Sequence, residues 1–180
     1  MKALLSLAWD EPRSLAIVAL RALAVAAALT VAAKVKIHLP WTPVPLTLQT
    51  FVVLTAAGLW GMAGVGGVVL YVAGASANLP VMAGPSVLGP TGGYLLGFVA
   101  ASAVVAGGRE GSSLRLLAAM AAASGLIYLC GALWLWAWSG QSLAWAITAG
   151  VLPFVPGDAA KAIAAWAAVT GLRCRPQRAA

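Results

Sequence analysis

Acidic side chains are nearly missing from this chain. Asp and Glu number four in 180 residues against eleven Lys and Arg, and charged residues of all kinds make up 8%. That leaves far too little polar surface to cover a soluble globule, so soluble classes are excluded and the chain reads as an integral membrane protein. A net charge of +7 would suggest nucleic acid in a soluble domain. Here the basic residues lie mostly in short segments between apolar runs, where they report topology, and no nucleic-acid partner is expected. Cysteine is scarce as well. Cys130 falls inside an apolar run and Cys174 in the basic tail, at different membrane depths, so no disulfide between them is expected. The single histidine, His38, has no neighbouring Cys or acid at metal-ligand spacing, which argues against a metal site. Lysine occurs only at 2, 34, 36 and 161, and none closes a phosphate-binding G-x-x-x-x-G-K loop, so the chain does not hydrolyse ATP alone. HExxH, GxSxG and Asp-rich metal motifs are absent too, which argues against a membrane enzyme and gives no reason to expect a cofactor.

What the chain does have is apolar runs interrupted by proline and glycine. Residues 1–13 read as an amphipathic lead on the membrane surface, with Trp9 beside Asp10 and Glu11. The run 14–33 is too long for a signal-peptide core and is read as a retained first span. It carries a ladder of small residues, Ala22, Ala24, Ala26, Ala28 and Ala32, of the kind that permits close helix approach, although alanine is also simply abundant here. Next comes LPWTPVPLTLQT, where Pro40, Pro43 and Pro45 forbid regular helix. Such irregular backbone is tolerated at membrane depth only when it is buried in protein or lines a cavity. Spans over about 46–59 and 62–77 follow, both short. The segment from Ser76 to Phe98 then holds the densest cluster of Gly and Pro, with Asn78, Ser86, Thr91 and Tyr94 but no formal charge. Spans over about 92–106, 114–138 and 143–172 complete the chain, the last broken or kinked near Pro153 and Pro156. No two repeated halves are visible.

The expected fold is thus all-α, one polytopic membrane domain over 1–180 with six spans. Six spans put both termini on one side. With those ends inside, Lys2, Arg13, Arg109, Arg115, Arg173, Arg175 and Arg178 lie on the cytoplasmic face and only Lys34 and Lys36 outside, as the positive-inside rule favours. The Pro-rich segment, the Gly-rich segment and the stretch VLPFVPGDAAK then converge on the outer face. In that last stretch Asp158 and Lys161 stand three apart, on one face of a helix start. Ionisable groups in membrane-spanning sequence cost about 2.5–3.5 kcal/mol each, which makes them functional candidates; a self-satisfied pair that only caps the helix is the alternative. Gln49, Asn78, Thr91 and Tyr94 add uncharged hydrogen-bonding groups, so the converging segments suit a small ligand with an apolar body and a few polar atoms. Asn78 as a turn residue and Tyr94 as an interface anchor remain open alternatives.

Four segments resemble a known family: VPLTLQT (44–50), GxxxNLPV (74–81), GPTGGYLxGF (89–98) and FVPGDxxK (154–161). They are similar, in order, to the signature segments of BioY, the biotin-specific substrate-binding (S) component of energy-coupling-factor transporters. The resemblance implies six helices around an outward-opening pocket, in a multi-pass protein of the bacterial cytoplasmic membrane. It implies that Asn78, Asp158 and Lys161 hold the polar part of biotin, its ureido ring, and that Thr91, Gly92, Gly93 and Tyr94 form part of the pocket wall and lid. It further implies that the alanine ladder of the first helix docks onto a transmembrane coupling subunit carrying paired ATPases. An S component for another small vitamin, or a small membrane enzyme using Asp158, are the other readings.

Overall fold

Runs of Ala, Leu and Val free of interior proline make the helices, and the prolines and glycines between them decide where each helix stops. A computed structural model describes residues 12–84 and 86–173, with side chains from Leu15 onward. Most of the lead expected over 1–13, and the tail with Cys174, Arg175 and Arg178, lie outside the described residues. The elements in chain order are α1 (Pro12–Lys34), β1 (Lys36–Ile37), β2 (Leu46–Thr47), α2 (Gln49–Trp60), α3 (Met62–Ser76), α4 (Gly92–Gly108), α5 (Ser113–Ser139), α6 (Leu143–Gly150) and α7 (Val155–Arg173). The architecture is therefore mostly helical, with one small antiparallel pairing of Lys36 with Thr47 and Ile37 with Leu46. That pairing corrects the helix start expected at 46. Pro40, Pro43 and Pro45 keep the preceding segment irregular, the strands give Leu46 and Thr47 backbone partners, and the helix begins at Gln49.

Two stretches, Leu15–Lys34 and Ser113–Ser139, are long and apolar enough to cross a membrane alone, and α6 with α7 qualifies as a pair bent by 52°. At 1.5 Å per residue, the 12, 15 and 17 residues of α2, α3 and α4 come to about 18, 23 and 26 Å, short of the ~30 Å hydrocarbon core. The bend has a local cause. At the break the Phe154 N–H turns to the Val151 carbonyl at 3.0 Å, and the Gly150 carbonyl instead accepts from the Tyr94 hydroxyl at 2.6 Å. A helix interruption thus becomes a tie to α4.

The two ends of the bundle differ. At one, the last carbonyls of α2 meet guanidinium groups: Arg109 donates to Leu59 at 3.1 Å, and Arg173 donates to Gly58 and, at 2.6 Å, to the Arg109 carbonyl. Cations at a helix C-terminus satisfy its unpaired carbonyls and oppose its dipole. At the other end lie the C-terminus of α1, the hairpin, the segment from Ala77 to Thr91 and the C-terminal part of α5, where Trp134 donates from its indole to the Gly89 carbonyl at 2.9 Å. Between the ends, Leu29, Val53, Leu54, Val68, Val105, Met120 and Val169 are fully buried.

The alanine ladder of α1 divides. Ala32 is buried and Ala22 and Ala26 half-buried against the rest of the bundle, while Ala24 and Ala28 are exposed beside Leu20, Leu23 and Val31. Ala22 and Val25 pack on Gly66 and Gly67 of α3. Ala22, Ala26 and Ala32 are therefore corrected from an outward docking face to internal packing, because the helical period turns them toward α3 and its neighbours.

Helices α4 and α5 approach so closely that a Cβ on Gly93 would overlap the Cβ of Trp134 and the Cys130 carbonyl, whereas one on Gly107 meets nothing. Gly93→Ala is expected to cost about 1–3 kcal/mol and Gly107→Ala to be neutral or slightly stabilising, as read from thermal unfolding in detergent. Equal effects would contradict the close approach.

Candidate ligand-binding site

The break that ends α6 also sets where α7 begins, and the first two turns of α7 carry both ionisable residues. Asp158 and Lys161 face the same way, with Lys161 Nζ 2.7 Å from Asp158 Oδ1. Neither group relies on the other alone. Lys161 also donates to the Thr47 carbonyl at 2.6 Å, and the Tyr128 hydroxyl of α5 donates to Asp158 Oδ2 at 3.0 Å. The cluster thus joins β2, α5 and α7. Asp158 is buried at 6% exposure, where an unpaired carboxylate would be very costly.

This cluster lines a cavity with about 50 Å³ of free volume, walled by Val44, Leu46, Met82, Leu95, Phe98, Ile127 and Phe154. The chain has three tyrosines, and all three, Tyr71, Tyr94 and Tyr128, line it. Two have hydroxyls committed elsewhere in the fold. Tyr94 holds the Gly150 carbonyl, and Tyr71 accepts from Gln49 Nε2 at 2.7 Å while donating to the Val81 carbonyl at 3.3 Å. These two tyrosines offer the cavity mainly ring surface. Gln49 is buried and also accepts from the Thr47 hydroxyl at 3.3 Å. Thr91, at the N-cap of α4, has a buried hydroxyl with no partner among the described residues, which leaves a hydrogen bond for something that enters the cavity.

The residues singled out in the sequence therefore separate. Gln49, Thr91, Tyr94, Asp158 and Lys161 come together around the cavity. Gly92 and Gly93 do not. A Cβ on Gly92 would collide with the Val87 carbonyl and the Trp134 ring, so these glycines serve the contact of α4 with α5 instead of a pocket wall. Asn78 is exposed, has φ 59°, and lines a second, wider basin instead of this cavity. It occupies the left-handed turn conformation that asparagine tolerates, away from Asp158. Sequence reasoning missed Tyr128 and Tyr71. Their available signal was position: both stand inside spans, whereas the tryptophans of α5 gather toward its end. Among the described residues no three of His, Cys, Asp and Glu gather as metal ligands.

Chemically, the site offers an anionic acceptor with lone pairs to spare, one uncommitted N–H of Lys161 and one free hydroxyl, inside aromatic and aliphatic walls. A sequence model of the BioY family matches residues 5–178. The chain belongs to the BioY family. A relative carrying the BioY name, from Pyrococcus horikoshii, is 37% identical over 129 residues, 68% of this chain and 76% of the relative. The biotin transporter BioY of Thermotoga maritima is 37% identical over 137 residues, 72% of this chain and 80% of that one. That of Rhodobacter capsulatus is 35% identical over 153 residues, 73% and 77%. The fold is similar to a crystal structure of the S-component for biotin from an ECF-type ABC transporter, with TM-score 0.82 and 23% identity over 92% of this chain and 95% of that one. The BioY segments read in the sequence and the fold thus agree.

If the pair is mutually supported as described, Lys161→Met alone should destabilise the protein by roughly 3–5 kcal/mol by stranding a buried carboxylate, and adding Asp158→Asn should recover much of it. Unfolding midpoints of the two single variants and the double variant measure this. Strictly additive losses would mean the two groups are energetically independent.

Proposed function

We propose that this protein is the biotin-binding S component of an energy-coupling-factor transporter, taking up biotin from the outer side of a bacterial cytoplasmic membrane. The carrying observation is the Asp158, Lys161 and Tyr128 cluster inside an apolar, tyrosine-lined cavity of a BioY-family fold. Biotin's ureido ring presents two N–H donors and a carbonyl acceptor. The carboxylate of Asp158 accepts from the donors, and the remaining N–H of Lys161 donates to the carbonyl. Its sulfur ring matches the walls of Phe98, Leu95 and Ile127. Charge-assisted hydrogen bonds contribute roughly 1.5–3 kcal/mol each, so a few of them with apolar burial reach the about −12 kcal/mol of nanomolar binding. The function is capture and transport, not catalysis. The relatives' names support this.

The six-span topology with both termini in the cytoplasm belongs to the same proposal. It makes α6 and α7 one broken span and lets the short helices α2, α3 and α4 cross where the bilayer thins or neighbours cover their ends. Arg109, Arg115 and Arg173 then stand inside, with Lys34 and Lys36 outside, in keeping with the positive-inside rule. The exposed strip of α1 with Ala24 and Ala28 is the docking face for a transmembrane coupling subunit, which brings paired ATPases to a chain without a nucleotide loop.

Titration of the detergent-solubilised protein with biotin is expected to saturate near one per chain, with Asp158→Asn at least tenfold weaker. Unchanged affinity in that variant removes Asp158 from the site. In the same assay Ala28→Leu should bind biotin normally and recover less coupling subunit on co-purification; the reverse pattern would move the docking face elsewhere.

A further inference from the structure

Beside the inner cavity lies a wider basin of about 660 Å³, whose lining includes Lys34, Lys36 and His38. The two hollows share Pro45, Met82, Ala83 and Thr91 as wall, so they adjoin. Their electrostatics differ. In the inner cavity the lysine is matched by a carboxylate 2.7 Å away. The basin has two lysines and no Asp or Glu among its lining residues. Lys34 Nζ donates to the carbonyls of Pro80 at 2.9 Å and Met82 at 3.3 Å, and Lys36 Nζ to that of Ala83 at 2.9 Å. All three acceptors are neutral and come from one short segment. They satisfy hydrogen bonds without cancelling charge, so two ammonium groups are held over the basin with no counter-ion among its walls. A carboxylate arriving there would replace a neutral acceptor with a charged one, which makes the stronger hydrogen bond.

We propose that Lys34 and Lys36 form a second subsite that takes the carboxylate end of the ligand, while its neutral polar ring occupies Asp158 and Lys161. This rests on the reading of the inner cavity as the ring site. It fixes the ligand's orientation: ring inward, an aliphatic chain along the shared wall of Pro45, Met82 and Ala83, and the anionic end in the basin. It also assigns a selectivity that the inner cavity does not supply, for a free acid over its neutral derivatives. Each lysine has three N–H donors, so either one donates to the carboxylate while still donating to a carbonyl of the 80–83 segment.

The test compares biotin with its neutral primary carboxamide on the full-length, detergent-solubilised protein, on Lys34→Gln and Lys36→Gln, and on the double variant. The expected result is a preference of the parent for biotin of about tenfold, the scale of two partly exposed charge pairs. That preference falls to about one in the double variant, while carboxamide affinity stays at the parental value and so certifies the fold and the ring site. Equal binding of acid and amide by the parent overturns the subsite and leaves the ring site standing. A preference that survives in the double variant does the same and points to Lys161 as the carboxylate's partner. Loss of both ligands together in the variants overturns it too, by making the lysines structural ties for the 80–83 segment. Binding of neither ligand by the parent removes the biotin reading itself, and the subsite with it.

Discussion

A carboxylate and an ammonium group 2.7 Å apart among apolar helices persist only because each has a second partner. Tyr128 donates to the oxygen of Asp158 that Lys161 leaves free, and the Thr47 carbonyl accepts another N–H of Lys161. Removing charges from water costs several kcal/mol per ion, and their mutual attraction offsets that only when the remaining hydrogen-bonding capacity is also met. The cluster therefore needs three elements held in register: the hairpin strand that supplies Thr47, the middle of α5 and the first turns of α7. Each has its own local reason for being there. The proline-rich segment cannot be helix and pairs as a strand, the long α5 is continuous, and α7 starts where it does because the chain breaks after Gly150.

That break links the site to the rest of the bundle. The carbonyl of Gly150 loses its ordinary helical partner and is taken by Tyr94, whose ring is one wall of the cavity. The same ring packs against Gly131 of α5, so a side chain that shapes the pocket also locks α4 to α5 and to the bend. Far from the cavity, Arg109 and Arg173 close the opposite end of α2. Between these two sets of ties α2 is held at both ends, which keeps Gln49 and the adjoining Thr47 in place. Preorganisation of this kind leaves less ordering cost for the moment of binding.

Much of this was readable from the residues. Apolar runs bounded by Pro and Gly gave the helices, Pro153 and Pro156 gave the bend, and two opposite charges three apart in apolar sequence gave the centre of the candidate site. Other features were not, for physical reasons. A tyrosine such as Tyr128 looks the same in sequence whether it faces a cavity or lipid, and only packing against α7 gives it Asp158. Glycine permits close approach without saying of what, so Gly92 and Gly93, expected at the ligand, prove to admit Trp134. An alanine ladder has two sides, and only the neighbour across from it separates Ala22, Ala26 and Ala32 from Ala24 and Ala28. Lys34 and Lys36 served the sequence reading only as markers of topology, because their carbonyl partners lie over forty residues away.

A structure of the protein crystallised with biotin shows directly whether the Asp158 and Lys161 cluster holds the ligand. The ureido ring is expected within hydrogen-bond distance of Asp158 and Lys161, lying against the rings of Tyr128 and Tyr94. Biotin bound elsewhere, with Asp158 and Lys161 still paired only to each other, Tyr128 and Thr47, would contradict it and reduce the cluster to a structural tie between α7 and its neighbours.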